Sequence, residues 1–332
     1  MIVMTKRIYA LIGAIIASAL AGAAHAAPPS LDLPLACTIG AGCEVQSYMD
    51  DDPGPGAKDY RCGTRSYPGH DGTDFRIPSM AALRAGVPVL AAAPGTVWRV
   101  RDGMADMSVR ERAPGSIEHS GCGNAVIITH EDNWRTTYCH MRKGSVRVKP
   151  GDVLKAGDPI GLVGLSGNTE FPHVHISVNQ GSALVDPFAY GAPTGACSAG
   201  RSLWSAKAAA ALVYKPRIVF PAGFSGSVEN IDKQIADGAI PSPAVNAKGL
   251  AAYVRAIGLK QGDVERMIVM GPDGKLLFNG PPTTVPRDQA QRQYAVGRPT
   301  PPGGWPRGVY QAIYTVTHDG KTVLERRFSV KL

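Results

Sequence analysis

Between Val87 and Val178, apolar runs of strand length alternate with glycine-bearing turns, as in "VPVLAAAPGTVWRV", "GNAVIITHEDNWRTTYCHM" and "DPIGLVGLSG". Short runs at this spacing predict an all-β unit. The second of them predicts a hairpin that turns around Asp132 and Asn133. Near Gly191 the pattern breaks. "GAPTGACSAGRS" has the composition of a linker, and the alanine-rich "LWSAKAAAALVY" predicts a short connecting helix. Beyond it, "VERMIVMGPDGKLLFNG" and "GVYQAIYTVTHDGKTVLERRFSVKL" place Asp-Gly pairs between apolar runs, a strong hairpin signal. The pattern as a whole predicts an all-β chain. An antiparallel sheet domain over 27–195 and a linker over 196–215 lead to a small immunoglobulin-like β-sandwich over 216–332.

The first residues change the expected compartment. Lys6 and Arg7 precede an apolar run from Ile8 to about Ala21, followed by Ala24-His25-Ala26. This reads as a secretory leader over 1–26, too short in its apolar part for a membrane span. The expected protein is exported to the periplasm or onward to the medium, and is not an integral membrane protein. All six cysteines follow the leader, which favours disulfides over metal binding in the absence of any Cys-x-x-Cys. Cys37 with Cys43 would close a local loop and Cys122 with Cys139 would staple the hairpin, leaving Cys62 with Cys197; spacing alone does not choose among the connectivities. The formal charge is +8, or +6 once Lys6 and Arg7 are gone. That balance suits an anionic polymer or surface, while no nucleic-acid-binding motif is present.

The candidate chemistry lies in the histidines. His25 leaves with the leader, and His318 sits in a turn of the second domain, where exposure and no chemistry are expected. The other six, His70, His119, His130, His140, His173 and His175, all fall in the first domain. In "EFPHVHISV", His173 and His175 are two residues apart in an alternating run, so both rings face the same side of a strand. A single strand histidine is usually a satisfied core or surface residue. Two on one face point to metal, because neutral imidazole is the commonest ligand. In "YPGHDGTDF", His70 and Asp74 flank Gly72, whose freedom to bend allows ring and carboxylate to converge. His70, Asp74 and one of the His173/His175 pair would supply two nitrogens and a carboxylate, a common catalytic zinc set with a fourth position open. The remaining member and His140 of "TTYCHM" could then act on the water. No Gly-x-Ser-x-Gly elbow and no His-Glu-x-x-His occur.

Taken together, "GHDGTDF", "GNAVIITHEDNWRTTYCHM" and "VKPGDVLKAGDPIGLVGLSGNTEFPHVHISV" resemble the M23 metallopeptidases, the lysostaphin-type or LytM-domain family, from about Tyr67 to Phe188. The resemblance implies zinc-dependent hydrolysis of peptidoglycan peptides on a LytM-type antiparallel β fold. It further implies His70, Asp74 and His175 as zinc ligands and His140 and His173 as catalytic histidines. "GNTEFP" departs from the Ser-Thr-Gly-Pro-type stretch of many members, which puts Glu170 near the cleft as a specificity candidate. Arg101–Gly123 reads as an insertion that could form a cleft wall, and His119 and His130 have no motif role. Some members have lost ligands and activate cell-wall amidases instead. All five positions are intact here, which favours an enzyme over such a regulator. The bond cut, and whether the wall is the cell's own or another bacterium's, are not readable from these motifs. The sandwich is expected to bind wall or protein, or merely to stabilise.

Overall fold

A computed structural model describes residue 1 and residues 27–332; the leader expected over 1–26 therefore lies, apart from its first residue, outside the described residues. The first domain is organised on strands β1 (Glu44–Ser47), β2 (Thr73–Arg76), β3 (Pro88–Leu90), β4 (Gly95–Arg101), β5 (Asn124–Thr129) and β6 (Trp134–Met141), continuing with β7 (Val153–Leu154), β8 (Pro159–Leu162), β9 (His173–Gln180) and β10 (Ala183–Val185). One helix, α1 (Met80–Ala85), interrupts them. The main sheet runs β1-β2-β9-β6-β5-β4-β7, with β10 added to β9, and β3 pairs with β8 apart from it. Every one of these pairings is antiparallel.

The strand period sorts the side chains of β9 between its faces. Val174, Ile176 and Val178 go into the core with Phe75, Val126, Ile128, Trp134 and Tyr138. His173, His175 and Ser177 take the opposite face. Burying such aliphatic side chains contributes roughly 1.5–3 kcal/mol each, so a one-residue slip of β9 would be expensive and the histidines' side of the sheet is fixed by the core. The three disulfides are Cys37–Cys43, Cys62–Cys197 and Cys122–Cys139, a pairing that spacing allowed without selecting it.

The segment after the first sheet packs on it. Leu203, Trp204 and Leu212 enter the first core. Helix α2 (Ala206–Ala211) forms where the alanine run predicts it, capped by Ser205 Oγ accepting from Ala208 N–H at 3.2 Å. The C-terminal unit comprises β11 (Ile218–Ser225), helix α3 (Ile231–Asp237), β12 (Gly249–Leu259), β13 (Val264–Met270), β14 (Leu276–Asn279), β15 (Thr283–Thr284), β16 (Gln289–Pro299), β17 (Val309–His318) and β18 (Lys321–Lys331). Its sheets are β11-β12-β16 and β14-β13-β17-β18, with β15 on β13. Both Asp-Gly pairs turn hairpins, β13–β14 and β17–β18. Leu250, Val254 and Ala256 from one sheet share a core with Met267, Val269, Tyr310 and Tyr314 from the other. His318 departs from expectation. It is half-buried, its Nδ1 2.8 Å from Asp263 Oδ1, because Asp263 lies across the sheet from the turn. Among the described residues no helix is long and apolar enough to cross a membrane.

A buried carboxyl offers a test of the first core. Asp186 is pushed up to about 7 by burial and by the charges of Asp51 and Asp59, against the hydrogen bond it accepts from the Phe188 N–H. A raised carboxyl favours the protonated folded state. Its stabilising contribution is complete below about pH 4, falls as pH rises toward 7, and is absent above that. Asp186→Asn should therefore melt several degrees higher than the parent at about pH 8, with the difference gone near pH 4, as thermal unfolding across that range will show.

Candidate metal centre and active site

Strand register builds the site. β2 pairs with β9 so that Asp74 stands opposite His175 and Arg76 opposite His173. β6 flanks β9 on its other side, with Cys139 opposite His175. His70 arrives from the turn before β2. One donor atom from each of His70, Asp74 and His175 lies within 4.8 Å of the other two. Asp74 Oδ1 is 3.1 Å from His70 Nε2 and 2.9 Å from His175 Nδ1, and the two nitrogens are 3.1 Å apart. All three side chains are buried.

The outward-facing nitrogens define the tautomers. His70 Nδ1 is 2.6 Å from the Tyr48 carbonyl, which can only accept, so this nitrogen carries the proton and Nε2 offers a lone pair. His175 Nε2 lies 2.9 Å from Ser177 Oγ and 3.1 Å from Asp71 Oδ1, and donating there leaves Nδ1 facing the cluster. Imidazoles held by a backbone carbonyl and a carboxylate on the far nitrogen have the outer-shell pattern of metal-ligating histidines. Two lone pairs and a carboxylate oxygen so close together require a positive charge among them. Protons on the rings can supply that charge as well as a metal ion can. Burial alone would lower His175, but Asp71 and Asp74 overcome it and push it up to about 9. Burial alone would raise Asp74, yet His173 and His70 hold it well below the usual carboxylate range. The donor set therefore fits a divalent cation such as zinc.

His140 and His173 border this cluster, with ring centroids 4.7 Å apart. His173 Nε2 is 3.4 Å from Asp74 Oδ1, while Nδ1 faces the Phe171 carbonyl at 2.9 Å and Thr169 Oγ1 at 3.1 Å. His140 reaches the site by a departure from strand alternation. Strict period two would send it into the core behind Tyr138. Instead, β6 carries one extra residue against β5 between Tyr138 and Met141, and His140 takes φ 60°. This bulge turns the ring toward the cleft. The His140 N–H donates to the Cys122 carbonyl at 2.8 Å, and Nδ1 is 2.8 Å from the Ser166 carbonyl. The Ser166 carbonyl can only accept, so Nδ1 carries the proton and the lone pair is on Nε2; burial and the neighbouring His173 and His175 hold His140 well below the ordinary histidine range and so keep it neutral.

The remaining expectations divide. Arg110 of the Arg101–Gly123 insertion pairs with Glu170 at 2.7 Å, so the insertion and the departing "GNTEFP" stretch together form a cleft wall. His119 is an exposed loop residue. His130 caps the β5–β6 turn against Pro94 and Thr136, away from the cluster. Sequence reasoning missed four contributors: Asp71 and Ser177 behind His175, Thr169 behind His173, and Tyr67, whose ring stacks on His70 at 4.2 Å. Two were legible by position, since Asp71 adjoins His70 and Ser177 continues the His-x-His face. The second domain also reaches the cleft, through Arg287–Gln291, although no role near the chemistry was expected of it.

The sequence profile of peptidase family M23 matches residues 68–187, which span every residue of this cluster. This chain carries an M23-type metallopeptidase domain. The peptidoglycan DD-endopeptidase ShyB of Vibrio cholerae is 32% identical over 117 residues, covering 35% of this chain and 22% of that protein. The DD-carboxypeptidase/endopeptidase Mpg of Neisseria meningitidis is 30% identical over 126 residues, covering 38% and 23%. The chain thus spans about a fifth of the length of these curated relatives. Among solved structures, the catalytic domain of the prophage-encoded M23 protein EnpA from Enterococcus faecalis is 28% identical. It covers 46% of this chain and 95% of that one, with a TM-score of 0.33. The profile match falls within the antiparallel first domain, and the C-terminal unit lies outside it.

Proposed function

We propose that this protein is a zinc-dependent endopeptidase that hydrolyses peptide bonds in peptidoglycan stem peptides or cross-links after export to the periplasm. The observation that carries the reading is the convergence of His70 Nε2, Asp74 Oδ1 and His175 Nδ1 within 4.8 Å, bordered by two histidines outside the donor set. His70, Asp74 and His175 would hold the ion. When bound there, zinc lowers the pKa of a coordinated water toward ~7 and polarises the scissile carbonyl. His140, kept neutral by burial, takes the proton from the attacking water and returns it to the leaving amine. His173, whose Nδ1 donates to the Phe171 carbonyl, turns Nε2 to the same space, and as an imidazolium it would donate from Nε2 to the developing oxyanion. The closed wall of Arg110 and Glu170 orients the peptide. The C-terminal unit reads as immunoglobulin-like, with three strands facing a four-strand path across one core.

The test is metal content together with release of soluble fragments from purified wall. His140→Ala and His173→Ala should keep close to one zinc per chain while losing about 10²–10⁴-fold in rate, the usual cost of removing an acid–base group. A wild-type chain that binds zinc yet releases nothing from any wall would set the endopeptidase reading aside in favour of a regulator of other wall enzymes.

A further inference from the structure

Two cavities adjoin the histidine cluster. One, of about 590 Å³, is lined by the first domain alone and includes Asp71, His140, His175 and Ser177. The other, of about 570 Å³, lies between the two domains. Asp74 and His173 form its floor, Arg110 and Glu170 one side, and Arg287–Gln291 of the C-terminal domain the opposite side. Tyr67 and Asn168 border both cavities, so the two form a single groove passing over the cluster.

The C-terminal side of that groove is anchored. The Gln46 side-chain amide donates to the Ala290 carbonyl at 2.8 Å. Arg76 Nη1 donates to Gln291 Oε1 at 2.7 Å and also to Gln46 Oε1. Arg76 is fully buried, lies two residues from Asp74 on the same face of β2, and packs its guanidinium on the Phe171 ring at 4.4 Å. A buried cation whose hydrogen bonds come from both domains resists their separation, because pulling them apart strips it of a partner. Farther along, Arg255 Nη1 donates to the Pro78 carbonyl at 2.8 Å across the same interface. The wall is thus part of the cleft and not a tethered module.

The charges on this half of the groove are unequally engaged. Arg110 is paired with Glu170, and Asp288 Oδ1 accepts from the Gln261 N–H at 2.8 Å. Arg287 is exposed and makes no ion pair or hydrogen bond among the described residues. A free guanidinium at the rim of a peptide groove, beside the amides of Gln289 and Gln291, matches a planar carboxylate in geometry and charge.

We propose that the C-terminal domain supplies one wall of the substrate groove and that Arg287 there binds a free carboxylate of the peptide. This rests on the endopeptidase reading above and deepens it: the substrate is an anionic peptide, selected partly by a domain outside the M23 region.

The experiment uses the full zinc-loaded chain and two sets of wall-derived peptides, one with free carboxylates and the other with the same groups as carboxamides. Arg287→Ala should raise KM for the carboxylate peptides about five- to tenfold with kcat unchanged, and leave the carboxamide peptides nearly unaffected. Arg287→Lys should restore part of the loss. Binding of the carboxylate peptides to the metal-free chain should weaken by the same factor. An equal effect of Arg287→Ala on both peptide sets, or none on either, overturns the proposal. Should the wild type cut neither set, the endopeptidase reading fails, and the metal-free binding comparison still decides the role of Arg287. Since Arg287 is exposed, unchanged melting of the variants serves as the folding control.

Discussion

His175→Ala is expected to empty the metal site. His175 Nδ1 is 2.9 Å from Asp74 Oδ1 and 3.1 Å from His70 Nε2, so its removal leaves two donors where three converged. Zinc binding at protein sites is worth roughly 10–16 kcal/mol overall. A third of that corresponds to roughly 300- to 8,000-fold in affinity, enough to lose the ion during purification. Cleavage of wall peptides should disappear with it, unlike the loss in His140→Ala, where the ion stays. A graded companion follows from the outer contacts. Asp71→Ala removes the acceptor 3.1 Å from His175 Nε2 and should cost only about 10–100-fold in zinc affinity. Zinc titration against a competing chelator measures both. Full zinc retention in His175→Ala would mean that a different histidine, His173 foremost, completes the set.

The largest effect on stability is expected from Cys62 and Cys197. Their disulfide spans 135 positions and ties the loop before the catalytic strands to the segment following the first sheet. Closing a loop of that order restricts the unfolded chain by about 4–5 kcal/mol. Around it, Tyr48, Tyr60, Phe188 and Tyr214 form one aromatic cluster, and the Tyr214 hydroxyl donates to Asp59 Oδ2 at 2.9 Å. Losing the link thus also loosens the docking of the chain that leads into the second domain. The double replacement by serine should lower Tm by roughly 10 °C in a reversible melt. Cys37–Cys43 closes only six positions and its double serine variant should shift Tm much less. Equal shifts for the two pairs would show that strain or local packing, not loop closure, sets the contribution.

Much of the site was legible because its members are carried by local rules. The alternation of "HVHISV" sends Val174 and Ile176 inward, and so places His173 and His175 outward whatever the rest of the chain does. The two Asp-Gly hairpins follow from turn chemistry, whereas spacing left the cysteine connectivity open. Other features depend on contacts distant in sequence. Spacing left open which member of the His-x-His pair joins His70 and Asp74. The register of β9 on β2 sets His175 opposite Asp74, which is the arrangement behind the proposed ligand set. His318 looked like an exposed turn residue because its partner Asp263 is 55 positions away.

The sequence by itself determined the all-β class, the side of β9 that faces the cleft, and the residue types available for chemistry. These need only the two-residue period of a strand and the coordination preferences of imidazole and carboxylate. The tertiary structure alone decided three further things. The bulge in β6 takes His140 out of strand alternation and into the site. The Tyr48 carbonyl, 22 positions away in the chain, holds the His70 ring from behind. The C-terminal segment Arg287–Gln291 closes one side of the groove through Arg76 and Gln46. Each arises where strands far apart in the chain are brought into register, and that register is set by the shared burial of many side chains and not by any one stretch of sequence.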